Sequence, residues 1–288
     1  MNGIVFEALH EELGARVLGV DLVSGLRPDI VQSIREALDT WSLLCFPDQA
    51  MNDDAHLALT RRLGEPEAEH VTLGSTGKVV YFGTVGNIAE DGSKQDAVHP
   101  RTLYQTGNEL WHSDSSFRAI PTLYSINHAY EVPGEGGGTC FASMRSAWDR
   151  LPRERQEEIE PLQVIHDYVF SRTQVAPVNP AHAASLPPVV HRLVRRNPAN
   201  GRKNYYVGSH ARSVVGWACG AKSRELLDDL MDRATASEHV YTHLWRAGDT
   251  VIWDNRCLLH RGAGYDANRW RRRMRQTRVC GAGPTLDE

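Results

Sequence analysis

Seven short runs of β-branched, aromatic and aliphatic residues recur along this chain: VVYFGTV, TLYSINHAYEV, TCFASM, LQVIHDYV, NYYVGS, HVYTHLW and DTVIWD. Each is bounded by glycine, proline or polar turn residues, which limits it to the length of a strand. Such a chain buries its apolar faces by stacking or closing sheets. The pattern therefore predicts a mainly β body, a sandwich or barrel, with a few flanking helices.

Three segments carry helical periodicity instead. From Pro28 to Trp41, residues Ile30, Val31, Ile34, Ala37, Leu38 and Trp41 share one face, and SLLCFPD behind them reads as a buried strand. A second helix is predicted over Asp53 to Leu63. A third is predicted to be capped by Ser223, with Leu226, Leu227, Leu230 and Met231 in a stripe. No repeat or low-complexity linker divides the chain, so residues 1–288 are expected to form one domain. The polar stretch from Asn87 to Asn108 lacks periodicity and is expected to be either a lid over a site or a plain surface loop.

Composition removes several classes of function. A net charge of −4 argues against nucleic acid or anionic lipid as partners. No stretch is apolar for long enough to span a bilayer, and the first residues carry acids where a secretion signal needs bases. The five cysteines form no C-x-x-C pair, which fits a reducing cytoplasm better than a disulfide framework or a structural zinc site.

Chemistry concentrates in LWHSDSSF, where His112 and Asp114 stand two apart. On a strand, two such residues face the same side and can grip one metal. Two histidines and one carboxylate leave coordination positions open, as oxygen activation on non-haem iron requires. Among the other histidines His260 stands out, because it follows an apolar strand and the turn DNRC. His10 and Glu12 have the same spacing but lie in a polar stretch at the protein's edge. In RWRRRMRQTRV, Trp270, Met274 and Val279 interrupt the basic run as in a half-buried strand. Arg271 and Arg275 lie four apart, on one strand face, where guanidinium forks suit two carboxylates.

LWHSDSSF, GGGTCFASMRSAWDRLP and VIWDNRCLLHRGAGYD, together with GARVLGVDL near the start, resemble the taurine dioxygenase (TauD/TfdA) family. Within it they match best the 2,4-dichlorophenoxyacetate dioxygenase branch. The resemblance implies a double-stranded β-helix, or jelly roll, and an enzyme that couples 2-oxoglutarate and O2 to oxidation of a small acid. It implies that His112, Asp114 and His260 ligate Fe(II), and that Arg271 and Thr139 hold the distal carboxylate of 2-oxoglutarate. Arg275 corresponds to the arginine that binds the acid group of the primary substrate, and Asn108, His70 and Ser171 fall near pocket-lining positions. Arg273 departs from the pattern. It lies between the two anchoring arginines on the same face, so either a bulge turns it outward or the register is shifted.

The chemistry implied is hydroxylation with release of succinate and CO2, at an ether carbon of a phenoxyalkanoate, which then breaks apart. A sulfonate or another aryl or alkyl carboxylate is the alternative substrate. The expected partners are a small acidic organic molecule and further copies of the chain in a homo-oligomer. A cupin-like metal hydrolase or isomerase would share the body but has no use for Arg271. A non-catalytic binding protein would tolerate loss of His112.

Overall fold

Pro28 opens the first helix at a position where its missing N–H is no loss, and Ser42, at φ 64°, closes it in the left-handed region. That helix, α1 (Pro28–Trp41), buries Val31, Ile34, Ala37 and Leu38. The next, α2 (Asp53–Leu63), is capped by Asn52, whose side chain accepts from Ala55 N. Acids in its first turn and arginines in its last complement the helix dipole. The computed structural model from which these features are read describes residues 3–68 and 80–288. No helix among them is long and apolar enough to cross a membrane.

The strands, in chain order, are β1 (Val5–Ala8), β2 (Ala15–Leu18), β3 (Leu43–Phe46), β4 (Gly83–Gly86), β5 (Thr122–Glu131), β6 (Thr139–Ser143), β7 (Gln163–His166), β8 (Val189–Arg192), β9 (Val194–Arg196), β10 (Lys203–Tyr205), β11 (Ala211–Val214), β12 (Val240–His243), β13 (Thr250–Asp254), β14 (Leu258–Gly262) and β15 (Arg273–Cys280). The remaining helices are α3 (Pro100–Gln105), α4 (Met144–Asp149), α5 (Arg153–Ile159), α6 (Tyr168–Arg172), α7 (Pro180–Ser185) and α8 (Gly220–Thr235).

Seven strands form one sheet in the order β1-β2-β3-β13-β5-β15-β4, and β12-β6-β14 form a second. Period-two alternation explains how they stack. Val251 and Trp253 of β13 join Phe141 of β6 and Leu258 of β14 in one cluster, between the sheets. Ile252, between them, points the other way, toward α1 and α2 with Ile126 and Val279. A third cluster lies beyond the smaller sheet, where Ala142 and Leu259 meet Leu226, Leu227 and Leu230 of α8. Helices thus cover both outer faces of two facing sheets.

The described residues therefore form several sheets with helices, as expected. One local expectation is corrected. Helix α8 begins at Gly220, so Ser223 lies inside it, and its hydroxyl accepts from Val214 N rather than capping the end. The stretch from Asn87 to Asn108 has structure of its own. It contains the Ile88–Lys94 bridge and α3, with Pro100 and the His99 cap supplying the local signal.

Candidate active site

His112 and Asp114 come together by a route other than strand alternation. His112 is an isolated bridge residue: its N donates to His260 O over 3.0 Å, and His260 N donates back to His112 O over 2.8 Å. The chain then turns at once, with Ser115 in the left-handed region at φ 51°. That turn brings Asp114 round beneath both imidazoles, whose centroids are 4.2 Å apart. Asp114 Oδ1 lies 3.8 Å from His112 Nε2 and 3.8 Å from His260 Nε2.

Each side chain is held so that one atom remains for a metal. His112 Nδ1 faces Leu110 O at 2.7 Å, so as donor it leaves the Nε2 lone pair free. Asp114 Oδ2 accepts from Ser125 Oγ at 2.5 Å and Gln276 Nε2 at 3.0 Å, leaving Oδ1 to the centre. Asn255 extends the support: its Oδ1 accepts from Asp114 N, and its Nδ2 donates to Ser125 Oγ. Burial, then the neighbouring His112, pushes His260 down to about 3, and burial lowers His112 as well. Both imidazoles are therefore in the neutral form a metal needs. Burial alone would raise the Asp114 carboxyl, but the two imidazoles, the Arg278 guanidinium and the Ser125 hydrogen bond together hold it below the usual carboxylate range.

These three residues line a cavity of about 180 Å³ together with Thr139, Asn108, Gln276 and Arg272, a size for small molecules. Arg272 is 7% exposed, and among the described residues its Nε has no hydrogen-bond partner and no carboxylate pairs with it. Burial pushes its guanidinium down to about 10. Its guanidinium lies 5.9 Å from the Tyr265 ring centroid, and a buried cation without an acid among the described residues is suited to an anionic ligand. Thr139 Oγ1 accepts from Trp245 Nε1 at 2.9 Å, so its own proton can point to the same ligand.

The expected arginines lie elsewhere. Arg271 is exposed and pairs with Glu131 at 2.6 Å. Arg275 pairs with Asp53 at 2.5 Å and donates to Thr84 Oγ1. Arg273 lies over the Tyr130 ring, on that same outer side. Arg271, Arg273 and Arg275 thus share the outer side, and the pairing of β15 with β5 is also irregular between Arg273 and Met274. Met274 fixes these sides, because the parity that buries this side chain among Phe141 and Trp253 turns Arg272 and Gln276 inward. The backbone clamps the same residue: Arg272 N donates to Asn87 Oδ1, and a Cβ on Gly86 would lie 2.0 Å from Arg272 O.

Asn108 lines the cavity, and its Oδ1 accepts from Arg172 Nη2 at 3.1 Å. Ser171 is buried behind it and donates to Ser209 Oγ rather than lining the cavity. His70 lies outside the described residues. Glu12 is occupied by Arg150 and His239, away from the centre. Cys45, His243 and Asp249 form a second group of donor atoms. There Asp249 Oδ2 already binds His243 Nε2 and Arg246 N, and burial, then Asp249, pushes the Cys45 thiol up to about 12.

Two imidazoles and one carboxylate oxygen are a donor set that could hold one divalent metal, and the arginine beside them could take an organic acid. The sequence profile described as "Taurine catabolism dioxygenase TauD, TfdA family" matches residues 6–278. The chain is 36% identical to the alpha-ketoglutarate-dependent 2,4-dichlorophenoxyacetate dioxygenase of Cupriavidus pinatubonensis, covering 95% of this chain and 97% of that one. It is 31% identical to the (S)-phenoxypropionate/alpha-ketoglutarate-dioxygenase of Sphingobium herbicidovorans, over 95% and 93%. The crystal structure of AAD-2 with Mn(II) and N-oxalylglycine superposes with a TM-score of 0.90 at 35% identity, over 99% of this chain and 100% of that one. The chain belongs to the TauD/TfdA family. It is an enzyme, an alpha-ketoglutarate-dependent dioxygenase.

Proposed function

We propose that the protein uses Fe(II), 2-oxoglutarate and O2 to hydroxylate a small aryloxyalkanoate acid, with cleavage of the ether. One observation carries the reading: His112 Nε2, Asp114 Oδ1 and His260 Nε2 converge in the cavity that also holds the unpaired Arg272. His112, Asp114 and His260 would hold the iron. Arg272, with the Thr139 hydroxyl, would take the distal carboxylate of 2-oxoglutarate in the role expected of Arg271. When bound, iron and 2-oxoglutarate supply the oxidising power, with succinate and CO2 as the coproducts. The protein's own part is to fix one ligand geometry, hold one carboxylate and keep water from the reacting atoms.

The phenoxy acids named for the relatives in Cupriavidus and Sphingobium support an aryloxyalkanoate over a sulfonate. The cavity's Val85, Ala97, Trp253 and Ala267 offer an apolar wall for a ring. The two facing sheets we read as the halves of a double-stranded β-helix, a reading supported by the likeness to AAD-2. The test is succinate release from 2-oxoglutarate, with and without iron, across a panel of aryloxyalkanoates, arylalkanoates and alkylsulfonates. Release that needs iron and is greatest with an aryloxyalkanoate is expected. Release unaffected by iron would remove the reading.

A further inference from the structure

The cavity's two sides differ in what they offer an acid. On the β15 side Arg272 faces inward, and the inward residue four positions on is Gln276. Both ends of that amide are engaged: Nε2 donates to Asp114 Oδ2 at 3.0 Å, and Oε1 accepts from Arg278 Nη1 at 3.3 Å. Arg278 in turn faces Glu67 at 3.4 Å. The β15 side, at Arg272 just before the strand, thus presents to the cavity one cation without an acid among the described residues, and on the reading above 2-oxoglutarate takes it.

Among the described residues, a second cation without an acid stands on the α6 side, just behind the residues that line the cavity and joined to them through Asn108. Arg172 Nη2 donates to Asn108 Oδ1 at 3.1 Å and Nη1 to Tyr104 O at 3.2 Å, both neutral partners. Its Nε has no hydrogen-bond partner among the described residues. The guanidinium lies 4.8 Å from the Tyr104 ring centroid and 5.7 Å from that of Tyr168. Gly107 leaves room for it, because a Cβ there would come within 1.9 Å of Nη1. The hydrogen bond to Arg172 turns the Asn108 oxygen away, so the amide Nδ2 remains to donate into the cavity that holds the metal-ligating side chains.

We propose that Arg172, acting with Asn108, holds the acid group of the primary substrate, so that the substrate is anchored from α6 and not from β15. A guanidinium already enclosed by two rings and lacking an acid is prepared for a carboxylate or sulfonate. The inference rests on the dioxygenase reading, and the experiment separates the two.

Phenoxyacetate, 2,4-dichlorophenoxyacetate, 2-phenoxypropionate and hexanesulfonate are each compared with the corresponding neutral primary amide or sulfonamide. The readout is the acid-to-amide ratio of kcat/KM for substrate-stimulated succinate release. The native chain is expected to prefer the acid. Arg172→Gln should cut that preference by at least about 30-fold, as loss of a charged partner in a closed pocket implies. Arg172→Lys should recover part of it, and Arg275→Gln should keep it. If Arg172→Gln fails to melt cooperatively, Arg172→Lys carries the test, with a raised KM for the acid and kcat within a few-fold. An unchanged preference in Arg172→Gln, or an unchanged KM in Arg172→Lys, overturns the inference while the dioxygenase reading stands. So does a native chain that turns over amide and acid alike. No stimulated succinate with any acid overturns the reading itself, and the inference with it.

Discussion

His112 and His260 are joined through main chain, N to O in both directions at 3.0 Å and 2.8 Å. Their side chains can therefore be removed without cutting the link between the segment before β5 and strand β14. His112→Ala, Asp114→Ala and His260→Ala are expected to lose succinate formation to background while melting within a few degrees of the native chain. Differential scanning calorimetry of the metal-free proteins beside the turnover assay checks both halves. Near-native turnover in any one of them removes that residue from the metal site.

Arg272, not Arg271, should govern the cosubstrate. Losing a charged partner in a closed pocket costs about 2–5 kcal/mol, so Arg272→Ala should raise the KM for 2-oxoglutarate by at least about 30-fold. Arg271 is an exposed partner of Glu131, a pair of the kind that contributes about 0–1 kcal/mol. Arg271→Ala should leave that KM within about twofold. Steady-state kinetics on the two variants decide it, and the reverse pattern would return Arg271 to the cosubstrate site.

Buried histidines make the fold acid-sensitive. His56, His128 and His191 are each pushed down to about 4, by burial first in every case, from an ordinary value of 6.5. The unfolded chain therefore binds protons between about pH 6.5 and 4 that the folded chain refuses. The sign follows: stability is complete above pH 6.5 and falls as the pH drops through this window, by up to about 1.4 kcal/mol per pH unit for each group. Thermal melts from pH 7.5 to 4 should show Tm falling steeply below 6.5, and His128→Gln should make the fall shallower. A Tm flat across that range contradicts the burial of these rings.

The periodic elements were legible because their signals are local. Pro28 and the stripe through Leu38 define α1, and period-two alternation defines β13. The ligands were legible as residue types in known motifs, although the turn at Ser115 that joins them was not. The parity of β15 was the part that misled. Arg271, Arg272, Arg273 and Arg275 are alike as residues, and the choice among them is made by Met274 reaching the core and by Asn87 gripping the Arg272 backbone. Both are tertiary contacts, although the crowding noted at Arg273 was already a warning. Arg172 gave no signal of its own, because its meaning lies in lacking an acid, which sequence cannot show.

The segment from Asn87 to Asn108 forms one wall of the cavity, contributing Ala97, Thr102, Gln105, Thr106 and Asn108. Its ends are held, Asn87 by Ala267, Trp270 and Arg272, and Gln105 and Asn108 by Thr84, Gly86 and Arg172; between them fewer bonds reach the rest of the chain. Lys94 Nζ donates to Asn268 O at 2.5 Å, Ala97 N to Asn268 Oδ1 at 3.0 Å, and Arg101 Nη2 to Thr84 O at 3.4 Å. No residue of α3 is buried, so local opening there exposes little apolar surface and needs little free energy. Ligands that fill the cavity would add contacts to this wall and close it over the metal, excluding water. Limited trypsinolysis should therefore cut at Lys94 and Arg101 in the free protein. With Mn(II), N-oxalylglycine and 2,4-dichlorophenoxyacetate present, cutting at both should slow by at least about tenfold, a change in opening energy of about 1.4 kcal/mol. Equal rates with and without ligands would mean that this wall is static and does not act as a lid.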